Sequence, residues 1–454
     1  MFQNYKTKSD YEKAGCKWVV PMTAKEIDLS KESDLFYNNQ YILEEKFDGT
    51  RGVLQFFKNH ARCFSRRISE KTKWFCENSD SMPQIRDMRI PVLEGTIIDG
   101  ELFIPNRPFK DVASTLNCVP EKAIERQKEL GEIVLHAFDI VSFRGIDVTT
   151  MRLNLRKKLL HEVCKTIRKY GYKCVEEVKY YSCHNGNKIF ISLTEDLLKK
   201  LSKSEGTYPA LYKEVKAEVP LMPTAYTKVG CHVSPYAYYE YIVMNGGEGV
   251  MLKNLRGKYE HKRSKNYLKV KKFLTRDCIV VGFTAPERLY KGKFPSIEKW
   301  QFWENEKTGE VFDTKKPLEY DRLMKDYKEN KSALVPVTKF YYENWVGNIT
   351  FGVIVTNEEI EQNFTEKAQK NMDFVYMTID RDIKKILVVG ECSGFDEETR
   401  ETFSENRDSY IGKVVEIKAN EIFNETGKLR HPRFLRVRED KNAKDCTLKA
   451  HFNQ

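Results

Sequence analysis

The lysine in EEKFDGTRG, Glu44 to Gly52, is the residue of this chain best placed for covalent chemistry. A protonated lysine is a poor nucleophile. It attacks when apolar or cationic neighbours make its charged form costly and a turn presents it to the substrate. Lys46 stands two residues before the Asp48-Gly49 step and five before Arg51, with Phe47 and Val53-Leu54 as apolar neighbours. Gly49 permits a tight turn and Arg51 could hold an anion, so the indicated chemistry is attack on a phosphate. Asp-Gly is also a common hairpin signal. A solvated lysine beside a hairpin turn is the plainer reading of the same nine residues.

Four further places collect reactive residue types. DGEL puts Asp99 and Glu101 on one face of a strand, because alternate residues share a face. GGEGVMLK surrounds Glu248 with Gly246, Gly247 and Gly249, which let backbone approach a ligand closely. YLKVKK points Lys269 and Lys271 the same way, an arrangement poor for a core and good for a triphosphate. RHPRFLRVREDK gathers Arg430, Arg433, Arg436, Arg438 and Lys441. Together they suit a nucleoside triphosphate lying between Lys46 and the Lys269/Lys271 pair, with Glu101 and Glu248 holding magnesium or the ribose. The cations would stabilise the α-phosphate and the leaving pyrophosphate and make protonation of Lys46 costly. Singly, each has a plainer reading: a strand's solvent face for Glu101, a polar turn for Glu248, a basic edge for KVKK, an anion patch for the arginines.

The elements that must position these residues are read from periodicity. YILEEKFDG and GVLQFF are expected as two strands around the Lys46 turn. IIDGELFI alternates with period two, and EIVLHAFDIVSF reads as a buried strand. RLNLRKKLLHEVCKTIRK has helical spacing through Leu155, Leu159, Leu160, Val163 and Ile167, with Lys and Arg opposite. GVMLKN and NYLKVKKF are two more strands. Beyond Phe273 the pattern becomes short strands separated by turn signals, as in a small β-barrel or sandwich, with one inserted helix in FDEETRETFSEN. The chemistry-bearing residues therefore fall in an α+β unit at 1–274 and a β unit at 275–454. Two segments resist this pattern. Residues 184–240 are polar and Lys-rich, and 286–346 interleave Trp300, Phe302, Trp303, Phe340, Tyr341, Tyr342 and Trp345 with lysines.

Composition narrows the class. A chain of 454 residues suggests two to four domains, and a net charge of +11 is compatible with a polyanionic partner. The 11 cysteines are odd in number, scattered and without a C-x-x-C pair, which argues against a disulfide framework, against a structural zinc site and for a reducing compartment. The N-terminus lacks the apolar core of a signal peptide and no run has the roughly 20 apolar residues of a membrane helix, so a soluble, membrane-free, cytoplasmic protein is expected.

The motifs resemble those of the ATP-dependent DNA ligases of the covalent nucleotidyltransferase superfamily. K-x-D-G-x-R at Lys46 to Arg51 is similar to their nucleotide-attachment motif, and the likeness runs from PMTAK, Pro21 to Lys25, to RHPRFLRVREDK. It implies a nucleotidyltransferase domain of ATP-grasp-like adenylation type followed by an OB-fold β-barrel, with a long insert at about 286–346. It implies that Lys46 takes AMP as a phosphoramidate, with Arg51 on phosphate or the nick and Arg66 of SRR on phosphate. Glu101 is implied near ribose or metal, Phe138 of AFDIV against adenine, and Glu248 on metal, with Asp48 counted among the metal carboxylates and Glu44 among the nucleotide contacts. Lys269 and Lys271 resemble the paired lysines of motif V. Arg438, Asp440 and Lys441 resemble motif VI, which orients pyrophosphate. The implied cofactors are ATP and Mg2+, and the implied partner is nicked duplex DNA bound by a monomer, in repair, replication or recombination.

Three features depart from the family's larger members. Tyr267 stands where many ligases carry tryptophan, the lysine motif begins within the first 50 residues, so that a compact type without a separate N-terminal DNA-binding domain is expected, and the two segments are long. The expectation drawn is that 286–346 grips duplex DNA, with contact to a DNA clamp as an extension. The competing expectation is that its aromatics form a core of their own. A viral or phage origin, acting in the host cell and in the nucleus of a eukaryotic host, fits the compact plan, as does a bacterial repair enzyme. An RNA ligase, a GTP-dependent capping guanylyltransferase and a non-catalytic nucleic-acid-binding module remain as alternatives.

Overall fold

The computed structural model describes residues 5–27, 29–203, 206–218, 229–271, 273–291 and 299–452. Parts of both long segments, 204–205, 219–228 and 292–298, lie outside the described residues. The chain divides into two units, Met1–Lys272 and Phe273–Gln454.

The first unit is built on two sheets. One has the order Thr23–Glu26, Arg263–Lys271, Gly249–Asn254, Tyr41–Glu45, Tyr180–Ser182, with only the Thr23–Glu26 pairing parallel. The other runs Phe75–Glu77, Ala61–Ile68, Thr50–Phe56, Ile97–Phe103, Val134–Phe143, Ile146–Asp147, with Val175–Glu177 added parallel to Val134–Phe143. Between the sheets lies an apolar layer of Ile42, Val53, Ile97, Val141, Leu153, Tyr259 and Tyr267. Each sheet's other face has its own core, one around Leu54, Ile98 and Leu102 and one around Leu43, Leu252 and Val270. Burying one such side chain contributes about 1.5–3 kcal/mol.

This topology removes the hairpin reading of the lysine motif. The strands on either side of Lys46 belong to different sheets, so Lys46-Phe47-Asp48-Gly49 is a crossing between layers and not a hairpin turn. Gly49 is required there: a Cβ would meet the Leu102 carbonyl oxygen at 2.3 Å.

The helix Leu153–Lys169 forms as its spacing predicts, with one difference. Leu155 is exposed, while Arg156 and Lys157 are buried with Leu160, Val163, Cys164 and Ile167. The two basic residues enter the interior because each meets a buried carboxylate there, Asp139 and Glu44 respectively. Segment 184–240 is also ordinary fabric where described. Ile189–Leu193 pairs with Val229–Val233, and helices Glu195–Lys203, Pro209–Glu218 and Pro235–Met244 add Leu197, Leu211 and Ile242 to the core over the first sheet.

The second unit carries an antiparallel ladder in the order Phe374–Ile379, Asp382–Cys392, Ile349–Ile354, Leu274–Phe283, Val414–Ala419, Arg433–Val437. Among the described residues the ladder is open at both ends, so the small β domain is present as a strand ladder rather than as a barrel closed by pairing of its ends. Helix Glu397–Glu405 starts where Asp396 accepts a hydrogen bond from the Thr399 N–H at 2.9 Å.

The insert leaves and re-enters between two paired strands of this ladder, Leu274–Phe283 and Ile349–Ile354. It has a three-stranded sheet, Glu310–Glu319, Lys299–Asn305 and Leu334–Pro336, and a helix at Tyr320–Lys328. Trp303 is fully buried, and Phe302, Val335 and Val337 form a cluster against which Trp300, Tyr327, Tyr341 and Tyr342 pack. These aromatics make the insert's own core, which favours the competing expectation over an aromatic nucleic-acid surface. The lysines are nearly cancelled as well, since 286–346 holds 12 basic and 11 acidic residues.

Candidate active site

The crossing at Lys46 opens into a cavity of about 810 Å³ between the two sheets of the first unit. Strand parity supplies its walls. On one sheet Met251 pairs with Glu44 on one side and with Lys269 on the other, while Gly249 pairs with Lys271, so Glu44, Met251, Lys253, Tyr267, Lys269 and Lys271 line the same space. The facing sheet contributes Arg51, Arg66, Glu101 and Phe138. The volume is that of an ordinary small-ligand site.

Lys46 is half-buried, its backbone N–H donates to the Gly249 carbonyl at 2.9 Å, and its Nζ contacts a carboxylate oxygen of Glu248. The other oxygen of Glu248 takes Lys271 Nζ. Gly249 has φ +138°, and a Cβ there would meet the Val270 carbonyl oxygen at 2.1 Å, so glycine is what lets the Glu248 segment come this close. Burial alone would raise the Glu248 pKa, but Lys46 and Lys271 overcome it and keep the carboxylate ionised. The expectation of a lysine surrounded by cations is thus corrected: a carboxylate stands between Lys46 and its nearest cation, because two buried ammonium groups at this distance need a counter-charge. Lys269 Nζ lies 3.1 Å from Glu26.

Arg51 pairs in a fork with Asp99, its Nε at 2.5 Å from Oδ1, and donates to the Met22 carbonyl at 2.9 Å. Asp99 also accepts from the Tyr259 hydroxyl at 2.6 Å. Burial works against the Arg51 charge and Asp99 outweighs it, so the guanidinium stays protonated. Glu101 lies opposite Arg51 in register. Burial pushes its carboxyl up to about 7, with Arg51 and Lys46 pulling the other way and Glu248 and Asp99 adding to the rise.

Phe138 faces the cavity with Lys253 Nζ 4.2 Å and the Arg51 guanidinium 4.7 Å from its ring centroid. Glu44 is buried and is shared by Lys253 at 2.6 Å and Lys157. Burial lowers Lys253 to about 8, partly offset by Glu44 and furthered by Lys157. Deeper, Asp139 takes both Arg156 Nε at 2.8 Å and the Tyr267 hydroxyl.

Of the residues singled out from sequence, Glu44, Lys46, Arg51, Arg66, Glu101, Phe138, Lys269 and Lys271 line one cavity and Glu248 ties two of them together. Arg66 is exposed at the end of Ala61–Ile68. Asp48 is half-buried in the crossing and is not among the described residues lining the cavity. Arg438 and Lys441 belong to the second unit. There Arg438 forks onto Asp440 at 2.9 Å and reaches Asp277 at 3.0 Å, and Lys441 is exposed. Arg430 and Arg436 meet Glu421 and Glu416, each at 2.7 Å.

Sequence reasoning missed Lys253, Lys157, Asp139 and Tyr259. Lys253 carried a readable signal, since it shares parity with Gly249 and Met251 in a strand whose other face is apolar. The other three become site residues only by contacts across more than 100 residues or between helix and sheet.

Residues 21–197 match the model of the ATP dependent DNA ligase domain. The SPbeta prophage-derived DNA ligase-like protein LigB of Bacillus subtilis is 22% identical over 261 residues, 57% of this chain and 72% of that protein. The DNA ligase of Pyrobaculum arsenaticum is 27% identical over 150 residues, 32% of this chain and 24% of that ligase. The match thus spans about a quarter of the archaeal protein. A solved Lig E DNA ligase overlaps 92% of this chain and 98% of its own with a TM-score of 0.45 and 16% identity.

Proposed function

We propose that this chain, which carries the ATP-dependent DNA ligase domain, seals 5′-phosphate/3′-hydroxyl nicks in duplex DNA through an AMP carried on Lys46. The observation that carries the reading is Lys46 at a crossing between two sheets, with Lys269, Lys271, Glu101 and Phe138 on the same cavity from distant parts of the chain and Glu248 bridging Lys46 and Lys271.

In the first step the Lys46 amine attacks the α-phosphorus of ATP, a nitrogen–phosphorus bond forms and pyrophosphate leaves. The amine must shed a proton before it attacks, and Glu248 is the carboxylate in contact with it. Lys269 and Lys271 stand where charge develops on the phosphates. Adenine stacks on Phe138 in competition with one of the two cations over that ring. The AMP then passes to the 5′-phosphate at the nick, and the 3′-hydroxyl attacks that phosphate and releases AMP.

Mg2+ is commonly held by one or two carboxylates plus substrate phosphates. Glu101 and Glu248 fit that requirement, although no group of three or more metal-binding side chains occurs among the described residues. Bound there, the ion would neutralise phosphate charge. Asp48, half-buried in the crossing, is the third carboxylate proposed for the ion. Arg438 and Lys441, in the second unit, are the residues proposed for pyrophosphate departure.

The test is covalent labelling with α-labelled ATP or GTP and magnesium, followed by sealing assays on nicked DNA and RNA. Label from ATP is expected, and Lys46→Ala should reduce it to below about 1% of wild type, because the nucleophile itself is gone. Label from GTP instead would mark a capping-type enzyme. Absence of label from either nucleotide would remove the enzymatic reading.

A further inference from the structure

A second cavity, of about 750 Å³, opens on the first unit beside helix Leu153–Lys169. Lys157, Lys158, His161, Lys179, Tyr180 and Tyr181 line it, together with Glu162 and Glu177. His161 Nδ1 lies 2.8 Å from Glu177. The mechanism proposed above assigns a step to none of these residues, although Lys157 pairs with Glu44 of the first cavity.

Lys157 makes this more than a basic hollow. Its side chain is only 2% exposed, and its ammonium meets Glu44, whose other oxygen holds Lys253 at 2.6 Å. Two buried ammonium groups thus share one carboxylate. The next carboxylate acting on Lys253, Asp139, is forked by Arg156 at 2.8 and 2.9 Å. The interior is left with an excess positive charge, and an under-compensated buried charge is costly. Lys157 thus lines this cavity while its ammonium is paired with a carboxylate that a second lysine shares. Lys158 and Lys179 are exposed on the same cavity, and the Tyr180 ring lies 5.1 Å from Lys157 Nζ.

We propose that this cavity is a phosphoryl-binding site, with Lys157 as its buried counter-charge and Lys158 and Lys179 as its exposed cations. A phosphate here supplies the negative charge that the Lys157–Glu44–Lys253 group lacks. The same chemistry comes from two sources, a free polyphosphate or the backbone of a nucleic acid.

The test uses the full chain with its first cavity filled by saturating AMP. Tripolyphosphate is titrated calorimetrically, and an unnicked labelled duplex is titrated by anisotropy. Lys158→Ala/Lys179→Ala is expected to weaken at least one of the two about tenfold, the loss of roughly one charge-assisted contact. Self-adenylylation should be unchanged. A loss confined to tripolyphosphate assigns a free anion, and a loss confined to the duplex assigns the backbone. Lys157→Met should abolish the same binding. If that variant does not fold, the double variant decides. Unchanged affinity for both probes in the double variant overturns the proposal, as does a parallel loss of self-adenylylation, which would place these lysines in the first cavity. Neither outcome depends on whether the chain seals nicks.

Discussion

Lys46, Lys253 and Arg51 in the first unit, and Arg430, Arg436 and Arg438 in the second, are all paired with carboxylates, yet their surroundings differ. The first set meets Glu44, Glu248 and Asp99, which are 16% exposed or less. The second meets partners that run from Glu416 at 17% and Asp277 at 29% to Glu421 and Asp440 at 50% and 65%. Buried pairs are held by the cost of separating them, and exposed pairs are worth little and are screened by salt. The first unit thus has charges preorganised for a ligand, whereas the arginine strand has charges that can exchange a protein carboxylate for another anion at small cost.

After loss of labelling in Lys46→Ala, the largest expected effect is on stability. Asp99→Ala strands the Arg51 charge and should cost about 3–5 kcal/mol in denaturant unfolding. Asp440→Ala, which removes an exposed partner from Arg438, should leave the midpoint unmoved. Equal losses would erase the contrast.

Two pH responses come next, one in each unit. His451, buried in the second unit against the Gly427 carbonyl, is lowered to about 4 chiefly by burial. A depressed folded pKa means that this stability is present above about 6.5 and lost as pH falls through 4, a change on the order of 3 kcal/mol that His451→Leu should remove. Lys253 is lowered to about 8 from 10.5, so the folded first unit binds fewer protons than the unfolded chain in that interval. Its stability should rise from pH 8 to 10, and Lys253→Met should flatten the rise in denaturant titrations at the two pH values.

The smallest effect is expected from the insert. Deleting 290–345 removes a segment within a region whose base is closed by Gly347 N–H on the Thr284 carbonyl at 2.8 Å. Self-adenylylation should persist and nick affinity should fall only about threefold, since the region's charge is nearly balanced and salt-dependent affinity follows phosphate neutralisation. Unchanged nick affinity would remove the insert from DNA contact.

Much of this was legible in local pattern. The strands at Ile97–Phe103, Val134–Phe143, Gly249–Asn254 and Arg263–Lys271 and the helix at Leu153–Lys169 follow from period-two and helical spacing, and most residues proposed for the site stand on them. The hairpin alternative at Lys46 could not be decided locally, because Asp-Gly serves a hairpin and a sheet crossing equally well. The inward Arg156 and Lys157 were unreadable for a related reason. Helical spacing identifies an apolar face, while Asp139 and Glu44 draw the basic pair in from elsewhere in the chain. The insert's aromatics show the same gap, since alternating aromatic and basic residues describe a core with a charged skin as well as a binding surface.

By itself the sequence determined which residue types were available and which strand faces they would occupy, because side-chain parity is a property of the local backbone. It was enough to single out Lys46 as the nucleophile now proposed. Only the tertiary structure decided that Lys46 crosses between two sheets, that Glu248 stands between it and Lys271, and that Lys253 and Lys157 share Glu44. Those arrangements depend on desolvation, which turns neighbouring charges into obligatory partners only after distant segments have closed over them.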